Sequence, residues 1–317
     1  MGIDFQFSPA DENQLLAVSS WDGVIRIYHF PTSPIIALEK YSYSHSKAVL
    51  SCAFFSKSDV VSGGMDNIIK TYNLENKAEY VLGHHGAPVR CLEYCKDHNL
   101  IASGGWDSAL MLWDTRTKKS AGFANNGDKV YAMDTYKERV LVGTKDRKII
   151  MWDVRNLGQP EQIRESPLKF QTRAVKFFPN GEAFVVSSIE GRVAVEYCDM
   201  SPEVQKGKYA FKCHREKDST GIELIYPVNC ITFHPVHNTF VTGGSDAIVN
   251  IWDPTNRKRI CQLHRFPTGI VSLSFNTTGT QLAIAASYMH ELKNSPIPVP
   301  ESCVIMRKIT DVETKPK

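Results

Sequence analysis

Several large classes of protein are excluded by what this sequence lacks. No uncharged apolar run approaches the about 18 residues that a membrane-spanning helix needs. GxGxxG, GxxxxGKS/T and GxSxG motifs are missing, so nucleotide-cradling loops and a nucleophile elbow have no footing. The beginning, MGIDFQFSPADE, has no basic n-region and carries acids early, and is not expected to be a secretory signal. Gly2 is followed at position 6 by Gln6 rather than Ser or Thr, which makes myristoylation a poor fit. The net charge of +3 is too small to imply nucleic-acid binding by itself, and RNA-binding signatures are wanting. Eight cysteines show no paired spacing and read as reduced thiols of the cytosol or nucleus.

Three of those cysteines, Cys52, Cys91 and Cys230, recur at one place in VLSCAF, PVRCLEY and PVNCITF. A cysteine recurring in apolar strands reads as a small core residue. His84, His85, Cys91 and Cys95 resemble a metal set, but GHHGAPV fits a Gly-His turn and the cysteines belong to a repeating strand. Cys213 and His214 are adjacent, so in a strand they point to opposite faces and cannot work as nucleophile and base. No catalysis, cofactor or metal is expected.

What the sequence does contain is a repeat. VSSWDGVIRIYHF at 18–30 returns as SGGMDNIIKTYNL at 62–74, SGGWDSALMLWDT at 103–115 and VGTKDRKIIMWDV at 142–154. It returns again as SSIEGRVAVEYCD at 187–199, TGGSDAIVNIWDP at 242–254 and an eroded AASYMHEL at 285–292. Each copy is a strand, a tight turn holding an acid, and a second strand ending in an aromatic residue. The turn acids Asp22, Asp66, Asp107, Asp146, Glu190 and Asp246, with Met289 in the seventh place, are spaced by 44, 41, 39, 44, 56 and 43 residues. A period of about 40–45 residues with WD dipeptides marks the four-stranded blade of a WD repeat. The expectation is an all-β, seven-bladed WD-repeat β-propeller over 1–317, with turn acids that accept hydrogen bonds as scaffold. No window of about 12 residues has a capped helical period.

Two irregularities stand out. The 56-residue spacing predicts a basic insertion at about 200–226 between blades five and six. Blade seven can draw strands from 269–276, 280–287 and 303–310 but lacks a fourth, so incomplete closure at the N-terminus, through a truncated start, is expected.

The residues just before the turn acids share one rim: Trp21, Met65, Trp106, Lys145, Ile189, Ser245 and Tyr288. Paired tryptophans at equivalent exposed turns point to a binding surface. Charge is concentrated in one sector, with Lys145, Arg147 and Lys148 in blade four and Arg192 in blade five. Lys206, Lys208, Lys212, His214, Arg215 and Lys217 follow in VQKGKYAFKCHREK. YAFKCH alternates, predicting a strand with Lys208 at its head. An ordered basic strand beside a rim of Arg and Trp suits an acidic or phosphorylated peptide. Glu196, where other blades have Tyr or Trp, is expected to be structural and paired, with Arg192 too distant along the strand to be its partner.

SSIEGRVAVEY, SPEVQKGKYAFKCHR, YPVNCITFHPVHNTFVTGGSDAIVNIWDP, the SSWD and GGWD turns and the closing ITDVETKPK resemble the spindle-checkpoint WD-repeat proteins of the Bub family, its third member, from about residue 3 onward. The resemblance implies an adaptor that binds GLEBS motifs of a checkpoint kinase and its pseudokinase relative. It also implies reading of phosphorylated MELT motifs on a kinetochore scaffold, so that the kinases are recruited to kinetochores. By position it implies that Trp21 and Trp106 pack the apolar part of the phosphopeptide, that Lys208, Lys212 and Arg215 are candidates for the phosphothreonine, and that Arg192, with Lys148 and Tyr288, meets GLEBS. A monomeric propeller in a heteromeric complex follows, nuclear, at kinetochores in mitosis, with the cytoplasm open and no membrane or direct nucleic-acid partner. The alternatives are the related messenger-RNA export propeller, which takes a nucleoporin GLEBS motif, and a ubiquitin-ligase substrate receptor, for which no helical docking segment is visible.

Overall fold

The computed structural model describes residues 2–9, 15–30, 37–289 and 298–316. Positions 290–292 of the eroded seventh copy lie outside the described residues.

Among the described residues, seven antiparallel blade sheets follow one another along the chain, with a separate two-stranded hairpin between the fifth and sixth. Blade one is built from Gly2–Phe7, Leu15–Ser20, Val24–His29 and Leu38–Ser44. Blade three has Val89–Cys95, Leu100–Gly105, Ala109–Asp114 and Lys119–Asn125. Blade five has Thr172–Phe177, Ala183–Ser188, Arg192–Tyr197 and Tyr209–Lys212. Blades two, four and six are four-stranded in the same order. Blade seven has three strands among the described residues, Ile270–Phe275, Gln281–Ala286 and Cys303–Lys308, matching the segments predicted for it. This is the seven-bladed WD-repeat β-propeller fold that the repeat predicts. Among the described residues, helix is confined to single turns, Pro202–Gln205 and Asp311–Thr314, and a 3-10 turn at Lys96–His98.

Two compact units make up the chain, Ile3–Glu165 with blades one to four and Ser166–Lys317 with blades five to seven. Within each unit the core lies between neighbouring blades. Leu112, Val130, Val142 and Trp152 pack blade three on blade four, and Val185, Val193, Val228 and Phe240 pack blade five on blade six. The second strand of each blade runs through apolar neighbours on both faces and is buried throughout in LLAVSS and AFVVSS, and past its first residue in blades two, three and four. Cys52, Cys91 and Cys230 are buried free thiols of the inner strands, as their recurrence implies.

The turn that carries the acid repeats in detail in blades one, two, three and six. Backbone N–H groups of Val24, Ile68, Ala109 and Ile248 donate to the carboxylates of Asp22, Asp66, Asp107 and Asp246, two residues earlier. This side-chain turn holds the intervening residue left-handed, at φ 66° for Asn67, 67° for Ser108 and 61° for Ala247. A left-handed residue with a Cβ costs roughly 1–2 kcal/mol, which the carboxylate bond and the flanking ladder offset.

The predicted insertion resolves differently from a single loop. Tyr209–Lys212 pairs with Arg192–Tyr197 as blade five's own outer strand. The extra length is the helical turn at Pro202–Gln205 and a separate hairpin, Arg215–Lys217 with Glu223–Ile225.

Candidate peptide-binding surface

The rim is built on buried staples. His85 follows the outer strand of blade two, and its Nδ1 lies 3.0 Å from Asp107 in the turn of blade three. Its Nε2 lies 2.8 Å from the Ser103 hydroxyl, which also accepts the Trp113 indole N–H at 2.8 Å. His45 joins Asp66 and Ser62 in the same way, with the Tyr43 hydroxyl donating to Ser62. His214 joins Asp246 and Thr242, and Trp252 donates to Thr242 at 2.9 Å. Burial acts to raise the Asp107 carboxyl, but the His85 bond and charge and two backbone N–H donors outweigh it and hold it below the usual range. Burial lowers the His45 imidazole below its ordinary value despite Asp66 beside it. Asp66, Asp107 and Asp246 are therefore tied into the scaffold, while Asp22 and Asp146 are exposed at their turns. His85 and His214 belong to staples, and no cluster of three metal-ligating side chains exists among the described residues.

In the first unit both predicted tryptophans sit at this rim. Trp21 is 52% exposed, a large apolar surface left open on a turn. Beside it, burial opposes but the Arg26 hydrogen bond prevails, keeping the Asp22 carboxyl down at about 2. Trp106 is half-buried, and its backbone N–H is fixed to the Pro88 carbonyl at 2.9 Å. Its indole N–H is buried without an acceptor among the described residues. The Lys129 ammonium stands 5.6 Å from its ring centroid, a cation–π contact. Lys129 was not singled out in the sequence. It precedes the inner strand of blade four, and nothing in its local pattern marks it.

In the second unit the structure separates the basic residues. Arg192 and Lys212 are direct cross-strand partners at the turn end of blade five, so their side chains share a face. The nearest acid to Arg192 is Glu190, at 3.8 Å, and Lys212 is exposed with no ion-pair partner among the described residues. Lys208 precedes the same strand at its other end. Four residues of extended chain put it about 13 Å from Lys212. The ladder runs from Arg192 with Lys212 to Val195 with Tyr209, and Lys208 lies outside it, its backbone N–H donating to the Gln205 carbonyl at 3.3 Å. Glu196 is buried and partnered, as expected. Lys206 pairs with Glu203. His214 is buried in its staple and adds nothing to a basic surface. The Arg215 guanidinium is occupied by the carbonyls of Glu190 and Gly191 and the Glu223 carboxylate.

Family models and known sequences match this architecture. The model described as "WD domain, G-beta repeat" matches residues 38–73, 76–114 and 223–253. The first two spans run from an outer strand into the next blade, the unit that a His–Asp staple closes. The "Mitotic checkpoint protein bub-3" of Caenorhabditis elegans is 53% identical over 98% of this chain and 92% of its own length. The chain belongs to the Bub3 family of mitotic checkpoint proteins. "Mitotic checkpoint protein BUB3.1" of Arabidopsis thaliana is 41% identical over 95% of the chain and 88% of its own. The "mRNA export factor GLE2" of Chaetomium thermophilum is more distant, 34% identical over 90% of the chain and 80% of its own.

In this Bub3-family chain the other predicted rim residues are less open. Lys148 is exposed at the start of its strand, but its ammonium lies 2.8 Å from Asp146 and its cross-strand partner is Glu165. The Asp146 bond raises the Lys148 ammonium above its ordinary value. Tyr288 follows the second strand of blade seven and is half-buried.

Proposed function

We propose that this chain is a spindle-assembly-checkpoint adaptor that carries no catalysis of its own. It takes the GLEBS motifs of a checkpoint kinase and its pseudokinase relative, reads phosphorylated MELT motifs of a kinetochore scaffold, and recruits the kinases to kinetochores in mitosis. Arg192, with Lys148 and Tyr288, is assigned to GLEBS, and Trp21 and Trp106 to the apolar part of the MELT peptide.

One observation carries the phosphate assignment. Arg192 and Lys212 oppose one another on one face, an arrangement that is destabilising for like charges until an anion joins them. Lys212 is therefore the proposed phosphothreonine contact. Lys208 lies a strand length away, and Arg215 is already engaged. Family membership supports the checkpoint role, since relatives 53% and 41% identical to this chain are named for it.

Calorimetric titration with a MELT-type peptide, phosphorylated and not, in the presence of a GLEBS peptide tests this reading. The expected result is binding of the phosphorylated form alone. GLEBS binding with no phosphopeptide binding would favour the messenger-RNA export role named for the Chaetomium relative.

A further inference from the structure

Arg215 is a cation in the basic segment, yet its side chain is only 12% exposed. Its Nε donates to the Gly191 carbonyl at 3.1 Å and its Nη2 to the Glu190 carbonyl at 2.7 Å. Its Nη1 donates to the Glu223 carboxylate at 2.8 Å. To touch a ligand it would have to give up bonds to two backbone carbonyls that have lost their water.

Those two carbonyls matter for what they adjoin. Gly191 immediately precedes Arg192, and its backbone is left-handed at φ 59°. A Cβ there would meet the Cys213 carbonyl at 2.9 Å and the Arg215 Cγ at 3.2 Å, so turn and hairpin are in close contact. On the other side Lys212 is followed by Cys213, whose N–H also donates to the Gly191 carbonyl. His214, at φ 49°, comes between, and its ring goes to Asp246 in blade six. The segment 213–215 is thus fixed to blade six by His214 and to the blade-five turn by Arg215. Arg192 and Lys212 hang from the two ends of this clamp. Their mutual repulsion works to splay the strand ends apart, and the clamp opposes it.

We propose that Arg215 is a positioning residue: it locks the Glu190–Gly191 turn to the end of the outer strand and so preorganises Lys212 for the phosphate, at a fixed place opposite Arg192. The proposal rests on reading this rim as anion-binding, but its mechanical part does not. Preorganised charges bind without the entropy cost of being gathered, which is where affinity would be lost without Arg215.

The test uses the full chain with Arg215→Gln, Arg215→Lys and Lys212→Ala. Amide hydrogen exchange is read over 189–193 and 209–213 without ligand, and affinity is read for the phosphorylated and unphosphorylated MELT-type peptides. Arg215→Gln should speed exchange in those two segments by about tenfold while other blades keep their protection. It should weaken the phosphorylated peptide by about tenfold, leave the unphosphorylated one unchanged, and add under about twofold in the Lys212→Ala background. A lysine cannot reach two carbonyls and a carboxylate in one plane, so Arg215→Lys, a milder change for the fold, should follow Gln in direction. Unchanged local exchange in both variants would overturn the clamp. A loss of full size persisting on Lys212→Ala would show direct contact with phosphate and overturn positioning. Failure of the unaltered chain to bind phosphopeptide would instead overturn the proposed function, and exchange would still decide the clamp.

Discussion

His214 and Asp246 lie 2.8 Å apart, both buried, one at the end of blade five and the other in the turn between the second and third strands of blade six. The pair turns two sheets that touch through apolar faces into one hydrogen-bonded assembly. It also shows why the acid recurs in the sequence: Asp66, Asp107 and Asp246 each serve their own turn through a backbone N–H and join the neighbouring blade through a histidine. Removing the acid alone leaves the buried His214 Nδ1 and the Ile248 backbone N–H without their partner. Asp246→Ala should therefore cost about 3 kcal/mol, seen as a lower denaturation midpoint, since orphaned buried polar groups are expensive. A loss below about 1 kcal/mol, the net worth of an ordinary hydrogen bond, would count against the staple.

Acid should loosen the fold in two stages. The His45 imidazole titrates lower when folded than its ordinary 6.5, so the folded state takes up its proton less readily than the unfolded chain. Its contribution is complete above pH 6.5 and is lost as pH falls through the folded value. Asp107 titrates below its ordinary 3.8, so its contribution holds above that value and disappears on further acidification. Thermal melts between pH 8 and pH 3 should show falling stability below about 6.5 and a second fall below about 4. His45→Gln should flatten the first stage, and an unaltered first stage would exclude His45 as its source.

Trp106 offers a separation of packing from polarity. Its indole N–H is buried without an acceptor among the described residues. Trp106→Phe keeps an aromatic face and removes the orphan donor, so stability should stay within about 1 kcal/mol of the parent or rise. Trp106→Ala should leave the fold intact and weaken MELT-type peptide binding by about tenfold or more, as expected of an aromatic anchor. Equal affinity for all three proteins in calorimetry would remove Trp106 from the proposed surface.

The two lysines of the blade-five outer strand should behave differently. Lys212→Ala should weaken phosphopeptide binding by about tenfold and flatten its salt dependence, because an exposed phosphate–cation contact is screened. Lys208→Ala should stay within about twofold, since it lies about 13 Å along the strand. Equal losses for both would place the phosphate elsewhere. Arg192→Glu should reduce GLEBS binding in a pull-down, and retention at parental level would release Arg192 from that role.

The repeat was fully legible in the sequence because it is local. Alternating apolar residues dictate strands, an acid two residues before a backbone N–H dictates the turn, and a left-handed position follows it. Blade number, turn acids and the tryptophan rim all come from patterns shorter than 15 residues. The grouping of the cations is different in kind. VQKGKYAFKCHREK is one basic stretch in the sequence, but strand pairing leaves Lys208 outside the ladder and brings Lys212 opposite Arg192. A left-handed backbone then turns His214 into blade six and Arg215 onto the blade-five turn. Charge is a property of each residue and is written in the chain. Which charges share a face, and which are already spent on a carbonyl or a carboxylate, depends on register and on contacts between segments far apart in sequence, and only the tertiary structure decides it.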